Sequence, residues 1–484
     1  MGSWNDFRQE KIFVGGQWIQ ADNGDTLDVI DPATGETIGS VPNAGASETR
    51  RAIDAASVAF EAFSQTTAAE RAVLLRNMSA AILDNQDYLA ELLTREQGKP
   101  LAEARGEVGM SAAYLLWFAE EARRVYGDTI PSPWRDRRIM VTKSPVGVVG
   151  AITPWNFPSS MLARKIGPAL AAGCTIVAKP ASQTPYSGLA WGMLAEQVGI
   201  PAGVINIVTG RAREIGGELT SNRLVKKITF TGSTSVGKTL LKQAADTVKK
   251  VSMELGGNAP FVVFDDADLD RAVSGAIAAK FRNAGQTCVC TNRLYVQSGI
   301  YERFVEAFAT AANKLVIGSG LEHGVTLGPL IDDAAVSKTE DFLKDAVSKG
   351  GRLVTGGKRH ERGRRFFEAT VLADASASMD FAREEIFGPI APVFRFDTED
   401  EAVKLANDTE FGLAAYFYTQ DLGRAFRISE RLQYGLVGIN EGIITTEVAP
   451  FGGVKESGVG REGSKYGLDD YMDVKYICVG GLGL

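Results

Sequence analysis

An α/β fold with two open, mostly parallel sheets follows from three features of this 484-residue sequence. From residue 146, short apolar runs (VGVVGAITP, CTIVAKP, VINIVTG, KKITFTG) alternate with helix-like stretches. A second series of the same kind begins near 260 with NAPFVVF and NRLYVQ. The runs are almost continuously apolar, as strands covered on both faces must be, and strands alternating with helices make parallel sheets. At ~150 residues per domain the length suggests roughly three units.

Taken in order, residues 12–40 carry short strands and turns, with IFVGGQWI followed by DVIDPATG, whose Pro-Ala-Thr-Gly is turn chemistry. Residues 46–120 are helical: LLRNMSAAILDNQDYLAELL puts apolar residues three and four apart, the mark of one buried face. Residues 128–143 break the pattern with prolines and a basic run, which predicts a projecting arm or edge strand. In the second series helices are expected at 301–315 and 333–349, then a strand at RLVTGG. Residues 397–419 read as helix, turn, strand, and the tail YMDVKYICVG as a strand that needs a partner sheet, such as one in another subunit. Two α/β series place the expected chemistry in the cleft between them.

Composition narrows the function. The 52 basic and 59 acidic residues leave a net charge of -7, which opposes nucleic-acid binding as the main role. The 2 histidines, His323 and His360, lie in polar stretches, so neither a multi-imidazole zinc site nor a Ser-His-Asp triad is expected. No metal is expected. The 4 cysteines are no disulfide scaffold and suit a reducing compartment. MGSWNDFRQEK has no signal-peptide core, and no apolar run is long enough to span a membrane, so cytoplasm is the expected location.

Several stretches carry candidate chemistry. Residues 232–239, GSTSVGKT, match the triphosphate-binding loop after the strand-like KKITFT, and FVVFDD (261–266) ends in aspartates that could hold magnesium. KFRNAGQTCVCTNR (280–293) sets Cys288 in a loop entering a new element. At a helix N-terminus its thiol would gain thiolate character, whereas in a core it would be a small hydrophobe. Cys288 and Cys290 have the wrong spacing for a CxxC redox motif. In MELGGNAP, Glu254 stands among apolar residues and glycines, either a base of raised pKa or a structural carboxylate. In TPWNFP, prolines stiffen Trp155-Asn156, so the Asn amide either donates to a developing oxyanion or caps a rigid turn.

TPWNFP, MELGGNAP, NAGQTC, EEIFGP and PFGGVKESGVGRE together resemble the aldehyde dehydrogenase superfamily, in family order over nearly the whole chain. KPASQTPYS, EFGLAAYFYT and EVAPFGG make the text most similar to its bacterial-type succinate-semialdehyde dehydrogenase group. The resemblance implies Cys288 as nucleophile, Asn156 as oxyanion donor, and Glu254 as activator of the water that hydrolyses a thioester. It implies a cofactor site of Trp155, Lys179, Ser182, Gly232, Ser233, Glu385 and Phe387. GSTSVG would then serve a dinucleotide, with Lys238 and Thr239 ordinary helix residues.

NADP is the expected cofactor, with NAD accepted: many NAD-preferring relatives carry Glu where this chain has Ser182, and Lys179 supplies the opposite charge. Arg164 and Arg282 match the group's clamp for the substrate carboxylate, and Thr445 stands where its members usually have serine. Oxidation of succinate semialdehyde to succinate is the implied reaction, with glutarate semialdehyde or broader aldehydes as alternatives and GABA breakdown the usual setting. Some relatives form a reversible disulfide between the cysteines matching Cys288 and Cys290; Cys290 is read first as a plain packing cysteine, with that disulfide as the alternative. The implied architecture is a Rossmann-type dinucleotide-binding domain (1–126 and 143–252), an α/β catalytic domain (253–466), and a small β oligomerisation element (127–142 and 467–484). The group is usually a homotetramer, the superfamily homodimers or dimers of dimers.

Overall fold

The computed structural model describes residues 2–483. Two large sheets dominate it, as the two apolar series require. The first has eight strands in the order Gly458–Val459, Lys250–Glu254, Val225–Thr231, Val148–Ile152, Thr175–Lys179, Ile205–Ile207, Ile12–Val14, Gln17–Ile19. Its central strands are parallel and its edges antiparallel. Both faces are covered. Val149, Ala151, Ile176 and Ala178 pack on one side with Leu115, Phe118 and Leu162. Val148 and Val177 pack on the other with Ile53, Ile215 and Leu240. The period-two alternation of strand side chains therefore meets apolar helices on either face, which is why these strands are apolar throughout.

The second sheet has seven strands in the order Arg352–Thr355, Thr370–Ala373, Ile390–Phe396, Thr291–Gln297, Ala259–Val263, Ala414–Tyr418, Leu436–Ile439, parallel except for its first pair. Phe261 and Val263 face the helices Leu269–Phe281 and Tyr301–Ala312, while Val262, Phe394 and Phe417 face Asp333–Ser348 and Glu399–Asn407.

The N-terminal helices Ala46–Phe63, Ala68–Asp84, Gln86–Gln97 and Leu101–Glu121 match the helical reading. Thr67 and Glu70 form a reciprocal capping box at the start of the second, and Gly98, at φ +96°, ends the third in the left-handed conformation that glycine tolerates. The basic segment forms the strands Asp128–Ile130 and Arg138–Pro145, and the tail strand Met472–Val479 pairs antiparallel with the latter along its whole length. The tail thus finds its first partner in its own chain.

Candidate active site

Within the first sheet the chain order reverses at Val148–Ile152, which has Thr175–Lys179 on one side and Val225–Thr231 on the other. Open α/β sheets bind ligands outside the carboxyl ends of strands at such a reversal. The residues that follow those ends, Trp155, Asn156, Gly232 and Ser233, line a cavity of about 370 Å³ together with Glu385, Phe387 and Cys288. Ser233 caps the helix Thr234–Ala245, whose N-terminus is suited to a diphosphate. Trp155 and Phe387 meet edge-on at 5.6 Å, with Phe387 held at φ +54°. Glu385 accepts the Gly257 N–H at 3.1 Å, and its desolvated surroundings push the half-exposed carboxyl up to about 7. An elongated cavity with a helix N-terminus and a carboxylate for hydroxyl groups fits a dinucleotide.

Neither Lys179 nor Ser182 is in the wall of this cavity. The Lys179 ammonium is buried, donates to the Pro180 carbonyl at 3.0 Å, and is pushed down to about 8 by desolvation. Ser182 is half-exposed in the loop before the helix Pro185–Gln197.

The triphosphate-loop reading fails on side-chain direction. Lys238 turns outward to Glu456 at 2.6 Å, and the Thr239 hydroxyl donates to the Ser235 carbonyl. Asp266 is occupied by Thr419, Arg424 and the backbone N–H groups of Gln420 and Asp421. Among the described residues no cluster of His, Cys, Asp and Glu is arranged to hold a metal.

Cys288 is shared by the dinucleotide-side cavity and a second one of about 190 Å³. It sits in a turn before the strand Thr291–Gln297, so the new element that its loop enters is a strand, and the helix N-terminus alternative does not apply. The β-branched and aromatic residues of TNRLYVQ take the extended form. The approach is strained: Asn283, Ala284 and Gly285 are all left-handed. Gly257 permits the close packing there, since a Cβ on it would lie 2.5 Å from the Cys288 carbonyl oxygen. Burial pushes the Cys288 thiol up to about 12, Glu385 and Glu254 add to this, and Arg164 and Arg282 oppose it.

Asn156 is fixed from several directions. Its side-chain N–H donates to the Gln286 carbonyl at 3.0 Å, and its own carbonyl accepts from Lys99 at 2.7 Å and from Asn283 at 3.0 Å. Lys99 is paired with Glu107 at 2.6 Å, and Glu107 also accepts the Ser159 and Ser160 N–H groups. Gln97 donates to the Asn283 side chain. Sequence reasoning missed this buried layer. The available signal for Glu107 was charge at a helical position where periodicity calls for an apolar residue; Lys99 lies in the connection between two helices, and both are buried, 3% and 1% exposed.

The second cavity is lined by Arg164, Arg282, Thr445, Phe157, Phe451 and Cys288, among others. Arg164 is 2% exposed, and its Nε and Nη1 have no hydrogen-bond partner among the described residues. Its guanidinium lies over the rings of Phe451 at 4.3 Å and Tyr114 at 4.9 Å. Glu462 is 3.8 Å away but is drawn to Lys165 at 2.6 Å. Buried polar groups are nearly always paired, so a guanidinium left short of acceptors in a cavity wall marks a place for an anion. Arg282 lies over the Phe157 ring and shares the cavity wall with the Glu103 carboxylate, on which its charge acts. A separate cavity of about 220 Å³ on the second sheet contrasts with this: its arginines are satisfied, Arg293 by backbone carbonyls, Arg383 by Asp408 and Arg395 by Glu302.

Glu254 ends the strand Lys250–Glu254, alongside Thr231, and both its carboxylate oxygens are buried without partners among the described residues. Burial, reinforced by Glu462, holds its pKa well above the ordinary 4.5. Lys165 bridges Glu462 and the Thr231 hydroxyl, an ion pair beside Glu254 that the sequence did not reveal. Burial thus disfavours the charged forms of both thiol and carboxyl, and Arg164 opposes it in each case.

A cysteine shared by a cavity at the strand reversal and a second, arginine-lined cavity has counterparts among known proteins. The profile of the Aldehyde dehydrogenase family matches residues 18–477. The chain is 60% identical over 476 residues to succinate-semialdehyde dehydrogenase [NADP(+)] of Escherichia coli K12, covering 98% of each. It is 61% identical over 476 residues to glutarate-semialdehyde dehydrogenase of Pseudomonas aeruginosa, again covering 98% of each. Its structure is similar to the crystal structure of succinate-semialdehyde dehydrogenase from Burkholderia pseudomallei, with TM-score 0.98 and 57% identity over 98% of each chain. With the motifs, the cavity at the strand reversal and the whole course of the chain in agreement, this protein belongs to the aldehyde dehydrogenase family.

Proposed function

We propose that the protein oxidises succinate semialdehyde to succinate with NADP, and accepts NAD less well. The observation that carries the substrate is the buried, under-partnered Arg164 guanidinium in the wall of a small cavity that also holds Cys288. With Arg282 it offers two fixed cations to a carboxylate, while Thr445 adds a hydroxyl. An aldehyde whose other end is clamped there presents its carbonyl to the thiol.

In this reading Cys288 attacks the carbonyl carbon, giving a thiohemiacetal on sulfur. The Asn156 amide and the Cys288 backbone N–H stabilise the oxyanion. The bound dinucleotide supplies an oxidised nicotinamide, the two-electron acceptor that makes the thioester possible. Trp155, Gly232, Ser233, Glu385 and Phe387 would hold it. Glu254, once ionised, takes a proton from the water that hydrolyses the thioester. Lys179 and the absence of a carboxylate at Ser182 favour a 2′-phosphate, in keeping with the NADP(+) in the name of the Escherichia coli relative.

We also retain the division into 1–126 with 143–252 for the dinucleotide, 253–466 for catalysis, and 127–142 with 467–484 for assembly into a homotetramer or dimer, in the cytoplasm. The test pairs succinate or glutarate semialdehyde with NADP or NAD, in wild type and in Arg164→Met and Arg282→Met. The expected result is highest kcat/KM for succinate semialdehyde with NADP, and a 10- to 100-fold loss, about 1.5–3 kcal/mol, in each variant. Neutral aldehydes should be spared. Equal losses for neutral and anionic aldehydes would remove the clamp, and a preference for NAD would remove the Lys179–Ser182 account. One methylene is worth only about 1–3 kcal/mol, so glutarate semialdehyde should be a slower substrate.

A further inference from the structure

Asn156 lies in the connection between the strand Val148–Ile152 and the helix Ser160–Ala172, outside the hydrogen-bond ladder of either. Pro154 and Pro158 stiffen this connection but do not aim the amide. The aim comes from a buried cation. Lys99 stands between the helices Gln86–Gln97 and Leu101–Glu121. Its ammonium donates to the Asn156 carbonyl at 2.7 Å and to the Glu107 carboxylate at 2.6 Å, and lies 3.8 Å from the centroid of the Phe157 ring. The other Glu107 oxygen accepts the N–H groups of Ser159 and Ser160 at 2.9 and 3.2 Å. One ion pair therefore grips Asn156, Phe157, Ser159 and Ser160. A second arm starts from the same lysine. Its backbone N–H donates to the Gln97 side chain at 3.0 Å, Gln97 donates to Asn283 at 2.9 Å, and Asn283 donates to the same Asn156 carbonyl. The connection that carries Asn156 and the loop that leads to Cys288 thus hang from one buried cluster. Glu107 also borders the cavity of Arg164 and Cys288, but both its oxygens already accept from donors of this cluster.

A buried ion pair is weak evidence for a stability role, because well-packed neutral residues in its place are often no less stable. What sets this pair apart is that both partners act on the segment carrying one amide. A group that stabilises an oxyanion must point at the place where charge develops, and a displacement of about 1 Å can cost about 10²-fold in rate. We propose, resting on the reading of Asn156 as the oxyanion donor, that Lys99 and Glu107 are positioning residues for the oxidation. The Lys99 ammonium fixes the Asn156 backbone through a charge-assisted hydrogen bond, and so fixes the direction in which the Asn156 amide donates. Glu107 holds the ammonium and the start of the next helix in one register. Neither residue takes or gives a proton in this role.

The test measures kcat and KM of the full-length protein with succinate semialdehyde and NADP. Lys99→Met should lower kcat about 10- to 100-fold, with KM changed by less than about threefold. In the Asn156→Ala background the same substitution should change kcat by less than about twofold, because no amide is left to misplace. Lys99→Met also leaves the Glu107 carboxylate buried without its cation, so Tm should fall. Combining it with Glu107→Gln removes that stranded charge, so Tm should recover while kcat stays low. The combined variant keeps the test decisive where the single one folds poorly. Alkylation of Cys288 by iodoacetamide, which forms no oxyanion, should run within about threefold of the wild-type rate throughout. Equal fold-losses with and without the Asn156 amide overturn the proposal. So does kcat that recovers together with Tm, or Cys288 alkylation that falls in step with kcat. Wild-type kcat in Asn156→Ala overturns the donor reading, and the proposal with it. A loss there with none in Lys99→Met overturns the proposal alone.

Discussion

Glu254 has no hydrogen bond on either carboxylate oxygen among the described residues, and burial raises its pKa well above 4.5. The sign of the stability effect follows. Below about 4.5 both folded and unfolded chains hold this proton. Above it the unfolded chain releases the proton while the folded one keeps it, so this residue lowers stability as pH rises toward the raised value. Glu254→Gln removes that dependence. Its Tm relative to wild type should climb as pH rises above the ordinary carboxylate value of about 4.5; a flat difference would mean the carboxyl is ionised in the fold. Thioester turnover should vanish in the same variant. Asn156→Ala should lower kcat by about 10²–10³-fold. Its Tm should change little, because the Gln286 carbonyl that Asn156 serves is also reached by Asn283 at 3.2 Å.

The helix Thr234–Ala245 shows how one element separates two readings of one motif. Its start borders the dinucleotide cavity, while Lys238, one turn on, is half-exposed and paired with Glu456. Lys238→Ala should leave kcat and the KM for NADP unchanged within a factor of two, and change stability by about 0–1 kcal/mol, as exposed ion pairs do. A collapse of activity would restore the phosphate-loop reading. The loop of residues 282–290 is the counterpart on the second sheet. Of its left-handed residues, Asn283 is held by Gln97, Glu103 and Gln286, so the helix and strand on either side can present Arg282 and Cys288 to the same cavity.

At the scale of the molecule, the three-stranded sheet of arm and tail leaves Val474 and Tyr476 68% and 58% exposed. Exposed apolar side chains on a strand invite pairing with another chain, the role proposed for this element. Val474→Asp with Tyr476→Asp should shift the particle mass in light scattering to that of a smaller species, with the aldehyde dehydrogenase site intact. An unchanged mass would place the assembly surface elsewhere. The two large sheets meet at the site: Gly458–Val459 returns from the later part of the chain to pair with Lys250–Glu254, so Glu254 is held by both halves of the sequence.

What the sequence determined by itself is whatever local pattern can encode. Apolar runs of strand length between amphipathic helices specify two sheets buried on both faces, and Pro and Gly mark where the chain turns. The five motifs bring Cys288, Glu254 and Asn156 to notice as residue types in glycine- and proline-stiffened contexts. Pairing is not local, and only the tertiary structure decided it. Lys238 and Arg164 are both helix cations in the sequence; one lies against Glu456 on the surface and the other faces a cavity with nitrogens unpartnered. Lys165 and Glu462 are 297 residues apart, yet they form the ion pair that presses on Glu254. Whether a charge is solvated, paired or stranded depends on what the rest of the chain brings within a few ångströms of it, and that sets both its pKa and its use.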